Sequence, residues 1–246
     1  IKQYKRDRDI RQPLLNFGRC IVHFAVDTDE VYMCTKLDGD KSFFLPFNKG
    51  HNDGKGNPPN PFGHKSAYLW EEVFTRESLA NIIQHFVRFD GKATDALSKR
   101  TLFFPRYHQM DVVRKIIKHA SQHGTNQTYL IQHSAGSGKS NSITWAAYQL
   151  IETYPEREDI PGAKGIQNPL FDSVIVVTDR RLLDKQLREH ILEFSEVKNI
   201  VAPAFSSGDL RRNLEQGKKI IITTIQKFPW IVDDIADLSD KRFAVV

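Results

Sequence analysis

The 246-residue sequence contains only two cysteines, and no apolar run in it approaches the roughly 18 residues needed to cross a bilayer. Cys20 and Cys34 stand too far apart for a metal-ligand pair and are too few for a disulfide framework. Cys34 lies inside the apolar run Val31–Leu37 and reads as a reduced core residue. The opening IKQYKRDRDIRQ has none of the apolar core of a signal peptide. Glycine (14) and proline (11) are too sparse for a collagenous or low-complexity chain. With 40% hydrophobic and 26% charged residues, what is left is a globular chain, expected to be soluble and cytoplasmic, of one large or two modest domains. It starts on Ile1 and closes on the apolar Phe243–Val246, so it is read as a window on a longer protein.

A strong charge of one sign is also missing. Thirty-five Lys and Arg against thirty Asp and Glu leave a net +5, which permits a polyanionic partner without requiring one. Up to residue 97 there are 14 basic and 13 acidic residues, giving +1; after it 21 and 17 give +4. The excess therefore sits in the second part. Nine histidines are scattered along the chain and are read as neither metal ligands nor catalytic groups. Asp53-Gly54-Lys55 and Asp90-Gly91-Lys92 imitate a nuclease carboxylate-x-Lys but read as Asp-Gly turns.

Organisation changes near residue 98. Ile21–Asp27, Val31–Leu37 and Ser42–Phe47 are short β-rich runs separated by Asp/Gly turns, the pattern of a meander. Residues 48–66 hold four Gly, three Pro and four Asn without periodicity and predict a long loop. Thr75 is placed to cap a helix with apolar residues at Leu79, Ile82, Ile83, Phe86 and Val87. The polar stretch 92–100 is taken as the boundary, with domains at 1–97 and 98–246. Beyond it, helices alternate with apolar strands at Tyr129–Ile131, Val174–Val177, Ile200–Val201, Ile220–Ile222 and from Phe243. Helices are expected over Tyr107–His119, Lys139–Tyr154, Leu182–Phe194 and Leu210–Leu214. That grammar predicts an α/β domain with a parallel sheet covered on both faces.

The chemistry is concentrated in His133-Ser134-Ala135-Gly136-Ser137-Gly138-Lys139-Ser140, which matches G-x-x-x-x-G-K-[ST] except that His133 replaces the first Gly. Gly136 and Gly138 let successive backbone N–H groups converge on phosphate oxygens. Lys139 is placed to meet the β- and γ-phosphates, and the Ser140 hydroxyl to ligate Mg²⁺ held by ATP. The helix start behind the loop adds positive potential. Ser134, Ala135 and Ser137 complete the cradle. Thirty residues earlier, Gln109 could offer its amide to an adenine edge or be an exposed helix residue. Thr178, Arg180 and Arg181, and Thr224 with Gln226, follow strands at their C-terminal ends, where parallel sheets bind ligands. These groups suit nucleic-acid phosphates, although Asp179 or Thr224 could equally be ordinary helix caps.

PRYHQ (Pro105–Gln109), QHSAGSGKS (Gln132–Ser140), VTDRRLLDKQL (Val177–Leu187) and TTIQKF (Thr223–Phe228), in this order, resemble the restriction (R) subunits of type I restriction-modification enzymes. The resemblance extends to Gln3–Arg19 and Tyr68–Val73. It implies the C-terminal part of a PD-(D/E)xK-like nuclease domain followed by a RecA-like P-loop lobe of the superfamily-2 helicase type. It further implies ATP and Mg²⁺ as cofactors, double-stranded DNA as partner, and assembly with methyltransferase (M) and specificity (S) subunits, with no membrane. On that reading Gln109 contacts adenine, while Thr178, Arg180, Arg181, Thr224 and Gln226 touch DNA. The nuclease catalytic residues are expected upstream of Ile1, and the acidic box and second motor lobe after Val246. The fragment alone is therefore expected to be largely inactive. The alternatives are another DNA-dependent P-loop ATPase or helicase, or a P-loop small-molecule kinase.

Overall fold

The structure, a computed structural model, describes residues 1–91, 94–179, 187–188, 191–192, 200–231 and 238–246. It separates into two compact units, Ile1–Asp111 and Val112–Val246.

In the first unit β1 (His23–Val26), β2 (Val31–Cys34) and β3 (Leu45–Pro46) form an antiparallel sheet in that order, the expected meander. The β1–β2 turn is tied by Asp27, whose Oδ1 accepts from the N–H groups of Asp29 and Glu30, each at 2.8 Å. Phe24 gathers Phe47, Phe74 and Phe104 edge-on at centroid distances of 5.2, 5.4 and 5.8 Å, and of these Phe47 and Phe104 are buried in the unit's core. The long loop after β3 is pinned by amides rather than by strands. Buried Asn57 accepts from the Lys49 N–H (2.8 Å) and donates to the Asp29 carbonyl (2.9 Å), while Asn48 accepts from the Val31 N–H (2.8 Å).

Helix α1 (Arg76–His85) is capped as expected, with Thr75 Oγ1 accepting from the Ser78 N–H at 3.3 Å. It is followed by a hairpin of β4 (Arg88–Asp90) and β5 (Thr101–Phe103). The polar stretch 92–100 thus connects two paired strands, and the compact units divide at Asp111/Val112 rather than at 97/98. Residues 94–99 of it are exposed. The chain stays with the first unit because Phe104 and Tyr107 pack on Phe47, with centroids 6.1 and 5.8 Å away.

Helix α2 (Tyr107–His123) carries the chain into the second unit. There β6 (Ser173–Thr178), β7 (Val201–Pro203), β8 (Ile220–Thr224) and β9 (Phe243–Val245) make a parallel sheet in the order β7-β8-β6-β9. Alternate residues face opposite sides. Val174, Val176, Ile220 and Ile222 pack with Ala147, Leu150 and Ile151 from helix α3 (Lys139–Leu150) and the residue after it. Ile175 and Ile221 pack on the other face with Leu210 and Leu214 of helix α4 (Ser207–Glu215) and with Ile231. Helix α4 begins at a full capping box, Ser206 Oγ accepting from the Asp209 N–H and Asp209 Oδ2 from the Ser206 N–H.

Two expectations need correction or restriction. Tyr129–Ile131 is not a strand: Leu130 is 95% exposed, and the segment pairs with no strand among the described residues. An apolar tripeptide signals burial, but a parallel strand exists only where a neighbour supplies its hydrogen bonds, and that is a non-local condition. The expected helix at 182–194 lies mostly outside the described residues; Leu187 and Ile191 within it are buried in the sheet's core.

The starts of β6 and β9 are locked by one ion pair. Arg242 donates from Nε to Asp172 Oδ2 (3.0 Å) and from Nη2 to Oδ1 (3.2 Å), while its backbone N–H donates to Oδ2 (2.8 Å) and its Nη1 to the Gly162 carbonyl (2.7 Å). The side chains are 13% and 27% exposed for Arg242 and Asp172. Desolvation pushes the Asp172 carboxyl up, but the Arg242 hydrogen bonds and charge outweigh it and hold the group below its ordinary 3.8. Because the native pKa lies below the unfolded one, the pair stabilises fully above that value and loses its effect as pH falls through the lowered native pKa. Asp172→Asn should cost about 1–2 kcal/mol at neutral pH. Denaturant titrations should show this deficit shrinking towards acid pH; a deficit independent of pH down to acid unfolding would refute the assignment.

Candidate functional site

Helix α3 starts abruptly because Gly138, its N-cap, has φ +81° and ψ +38°, the left-handed conformation that a side chain disfavours. Gly136 has φ +72°, and a Cβ there would meet nothing within 4 Å, so glycine serves backbone shape and open approach rather than packing. Between them the Ser137 N–H closes a turn on the Ser134 carbonyl at 3.3 Å. Lys139 folds back over this loop, its Nζ donating to the carbonyls of His133 (3.1 Å) and Ser134 (2.9 Å). Two of three ammonium donors are thus used to hold the loop, and the third is available to an anion. Ser134, Ala135, Gly136, Lys139 and Ser140 are exposed, and Ser137 is buried beneath them. Behind the loop, Thr144 Oγ1 donates to the Ser140 carbonyl at 2.8 Å, fixing the first turn. The arrangement is an exposed glycine-shaped turn at a helix N-terminus with one cation folded over it, which suits a polyphosphate.

A second group forms at the C-terminal edge of the sheet. Thr178 and Thr224 are register partners at the ends of β6 and β8. Gln226, in the short helical turn Ile225–Trp230, donates from Nε2 to the Asp179 carbonyl at 2.6 Å and so joins the two post-strand turns. Thr224 and Gln226 line an open cleft of about 820 Å³ together with Asp179, Arg188 and Lys227. Arg180 and Arg181 lie outside the described residues. The structure therefore brings together Thr178, Thr224 and Gln226 from the expected set. Lys227, whose Nζ donates to the Ala204 carbonyl at 2.6 Å, stood within the post-strand motif without a role of its own, and Arg188 is a cationic member outside the motifs. The signal for Lys227 was position, three residues beyond the end of buried β8.

Gln109 is buried, not exposed: it occupies the third position of α2, and its Oε1 accepts from the Arg106 N–H at 2.9 Å. That is the returning half of a capping box and a structural task independent of any ligand. The histidine reading also missed a pair. His119 and His123, four apart on α2, stack at 4.0 Å and 12°, with His119 Nδ1 3.0 Å from the Tyr129 hydroxyl. Among the described residues no group of three or more His, Cys, Asp or Glu is arranged to hold a metal ion, and no helix is long and apolar enough to cross a membrane.

Residues 108–246, more than half of the chain, match the SWI2/SNF2 ATPase family model, and the chain belongs to that family. It is also similar to the type I restriction enzyme HindI endonuclease subunit of Haemophilus influenzae, with 30% identity over 159 residues. That alignment covers 62% of this chain and 14% of the relative, so the chain spans a small part of the relative's length. The resemblance to type I R subunits drawn from the motifs agrees with this relative, and an ATPase domain implies use of ATP.

The two tasks of Gln109 separate by substitution. Gln109→Glu keeps an acceptor for the Arg106 N–H and removes the amide donor, whereas Gln109→Ala removes both. Thermal denaturation should show Ala losing about 1 kcal/mol and Glu much less. If the amide also reads adenine, both variants weaken ATP more than GTP in equilibrium binding; equal loss for the two nucleotides would leave capping as its whole role.

Proposed function

We propose that the chain is the motor-proximal part of a type I restriction subunit, in which ATP hydrolysis by the second unit drives translocation along double-stranded DNA. The observation that carries this is the glycine-shaped loop Ser134–Ser140, with Lys139 folded over it at the start of α3. The motif order and the similarity to a type I endonuclease subunit support the restriction context. Endonucleolytic cleavage and the company of methyltransferase and specificity subunits belong to the same proposal. The first unit is assigned to the nuclease-side portion on the resemblance of Gln3–Arg19 and Tyr68–Val73 to these subunits.

In this reading the backbone N–H groups from Ser134 to Ser140 receive the β-phosphate, and Gly136 and Gly138 allow them to converge. Lys139, which donates to the carbonyls of His133 and Ser134, would turn to phosphate oxygens and stabilise negative charge on them. Ser140 supplies a hydroxyl oxygen for Mg²⁺, which neutralises phosphate charge when bound. Thr178, Arg180, Arg181, Thr224 and Gln226 are proposed to hold the DNA backbone. Because α3 packs on Val174 and Val176 of β6, whose far end carries Thr178, movement at the nucleotide and grip on DNA share one strand.

The full-length protein should show ATPase activity stimulated by duplex DNA, and Lys139→Ala should lower its kcat by about 100- to 1,000-fold. Stimulation by a small metabolite and not by DNA would reject the translocase in favour of a small-molecule phosphotransferase.

A further inference from the structure

Residues 126–132 carry the chain from the end of α2 to the phosphate loop without a strand partner among the described residues, and Leu130 in their middle is 95% exposed. Among the described residues this stretch reaches the rest of its unit through one hydrogen-bonding contact, the Tyr129 hydroxyl 3.0 Å from His119 Nδ1. His119 is itself firmly held. Helix α2 is anchored on the sheet's core through Ile116, Ile117 and Ala120. The His119 ring stacks on His123 at 4.0 Å and 12° and meets the Tyr129 ring at 5.5 Å and 89°. His123 Nδ1 lies 3.1 Å from the His119 carbonyl, which can only accept, so this nitrogen donates and fixes the second ring in turn. Burial pushes the Tyr129 phenol above its ordinary 10.0, so at neutral pH the hydroxyl keeps its hydrogen.

Ring-nitrogen lone pairs lie in the ring planes, and the near-parallel planes of His119 and His123 do not converge on one metal ion. What the pair does hold is Tyr129. We propose that His119 and Tyr129 form a brace for the entry to the phosphate loop, so that His119, which touches no nucleotide, sets ATP affinity through Tyr129 and the stretch Leu130–His133. The inference rests on the nucleotide-loop reading and adds to it a positioning pair outside the motif. The backbone N–H groups of Ser134–Ser140 must converge to receive phosphate, and a displacement of about 1 Å in the entering chain spreads them. In the empty loop Lys139 helps to fix this entry through the His133 and Ser134 carbonyls. On the nucleotide-loop reading that tie is given up when Lys139 turns to phosphate, and the contact at Tyr129 remains. The brace therefore matters most in the bound state, and its loss is felt in affinity rather than in the chemical step.

The test uses the full-length protein and a non-hydrolysable ATP analogue with Mg²⁺. Tyr129→Phe, which keeps the ring and removes the hydroxyl, and His119→Ala should each weaken analogue binding by about 3- to 10-fold. Because both remove the same contact, the double variant should bind no worse than the weaker-binding single variant. His119→Gln, whose amide can still meet the hydroxyl, should recover most of the loss. In turnover the KM for ATP should rise by the same factor, while kcat at saturating ATP stays within about twofold of wild type. Tyr129 is 39% exposed, so circular dichroism should show Tyr129→Phe folded as the wild type is. Wild-type affinity in Tyr129→Phe, or losses that multiply in the double variant, overturns the inference. If Lys139→Ala abolishes analogue binding and Tyr129→Phe leaves it intact, the brace falls and the nucleotide-loop reading stands. If the wild type binds no analogue, or binds it regardless of Lys139→Ala, both fall together.

Discussion

A parallel sheet buried on both faces sends the C-terminal ends of all its strands to one edge, and the chemistry of the second unit is built on that constraint. Ile220, Ile221 and Ile222 in β8 leave no side free for water, so the strand can change from apolar to polar only where it ends, at Thr223 and Thr224. The same holds for β6, where Val174–Val176 give way to Thr178 and Asp179. Parallel register then sets Thr178 beside Thr224, and a cleft with hydroxyls, amide and cations follows from topology rather than from local sequence.

The phosphate loop solves a different problem. An ammonium placed to meet an anion must be stable before the anion arrives, and Lys139 achieves this by donating to the carbonyls of the loop it guards. On the proposed reading the group that holds the loop in shape would also meet the phosphate, which would couple nucleotide arrival to loop relaxation. Gly136 and Gly138 make this possible because a chain with Cβ atoms at φ +72° and +81° would be strained. The first Gly of the motif is dispensable on the same ground: His133 contributes its carbonyl to Lys139 and lies outside the positive-φ pair.

Elements that depend on near neighbours in the chain were legible in the sequence. The Asp27 turn, the Thr75 cap, the meander and the strands β6 and β8 all follow from short-range patterning. What escaped depends on partners distant in sequence. Residues 92–100 look like a linker until Thr101–Phe103 pairs back on Arg88–Asp90. Tyr129–Ile131 looks like a strand, and the pairing it needs is absent from its own composition. Gln109 is the exception: glutamine is usually exposed, but the Arg106 N–H that it caps is only three residues away and was legible as a helix-start signal. In the candidate site, the loop Ser134–Ser140 and the post-strand Thr224 and Gln226 were visible as motifs, whereas Phe205, Lys227 and Trp230 acquire meaning only once they are found lining one cleft.

The Asp172–Arg242 clamp shows how this edge-centred design stays rigid. It sits at the start of β6 and β9, opposite the end that carries Thr178, and there it joins two strands whose backbones also meet through the Asp172 N–H and the Arg242 carbonyl at 2.8 Å. At the anchored end Arg242 is engaged by the Asp172 carboxylate and the Gly162 carbonyl. At the other end hydroxyls, cations and the Phe205 and Trp230 rings face an open cleft. The asymmetry along β6, apolar and clamped at its start and polar at its end, is what supports the proposal that this edge is the binding side.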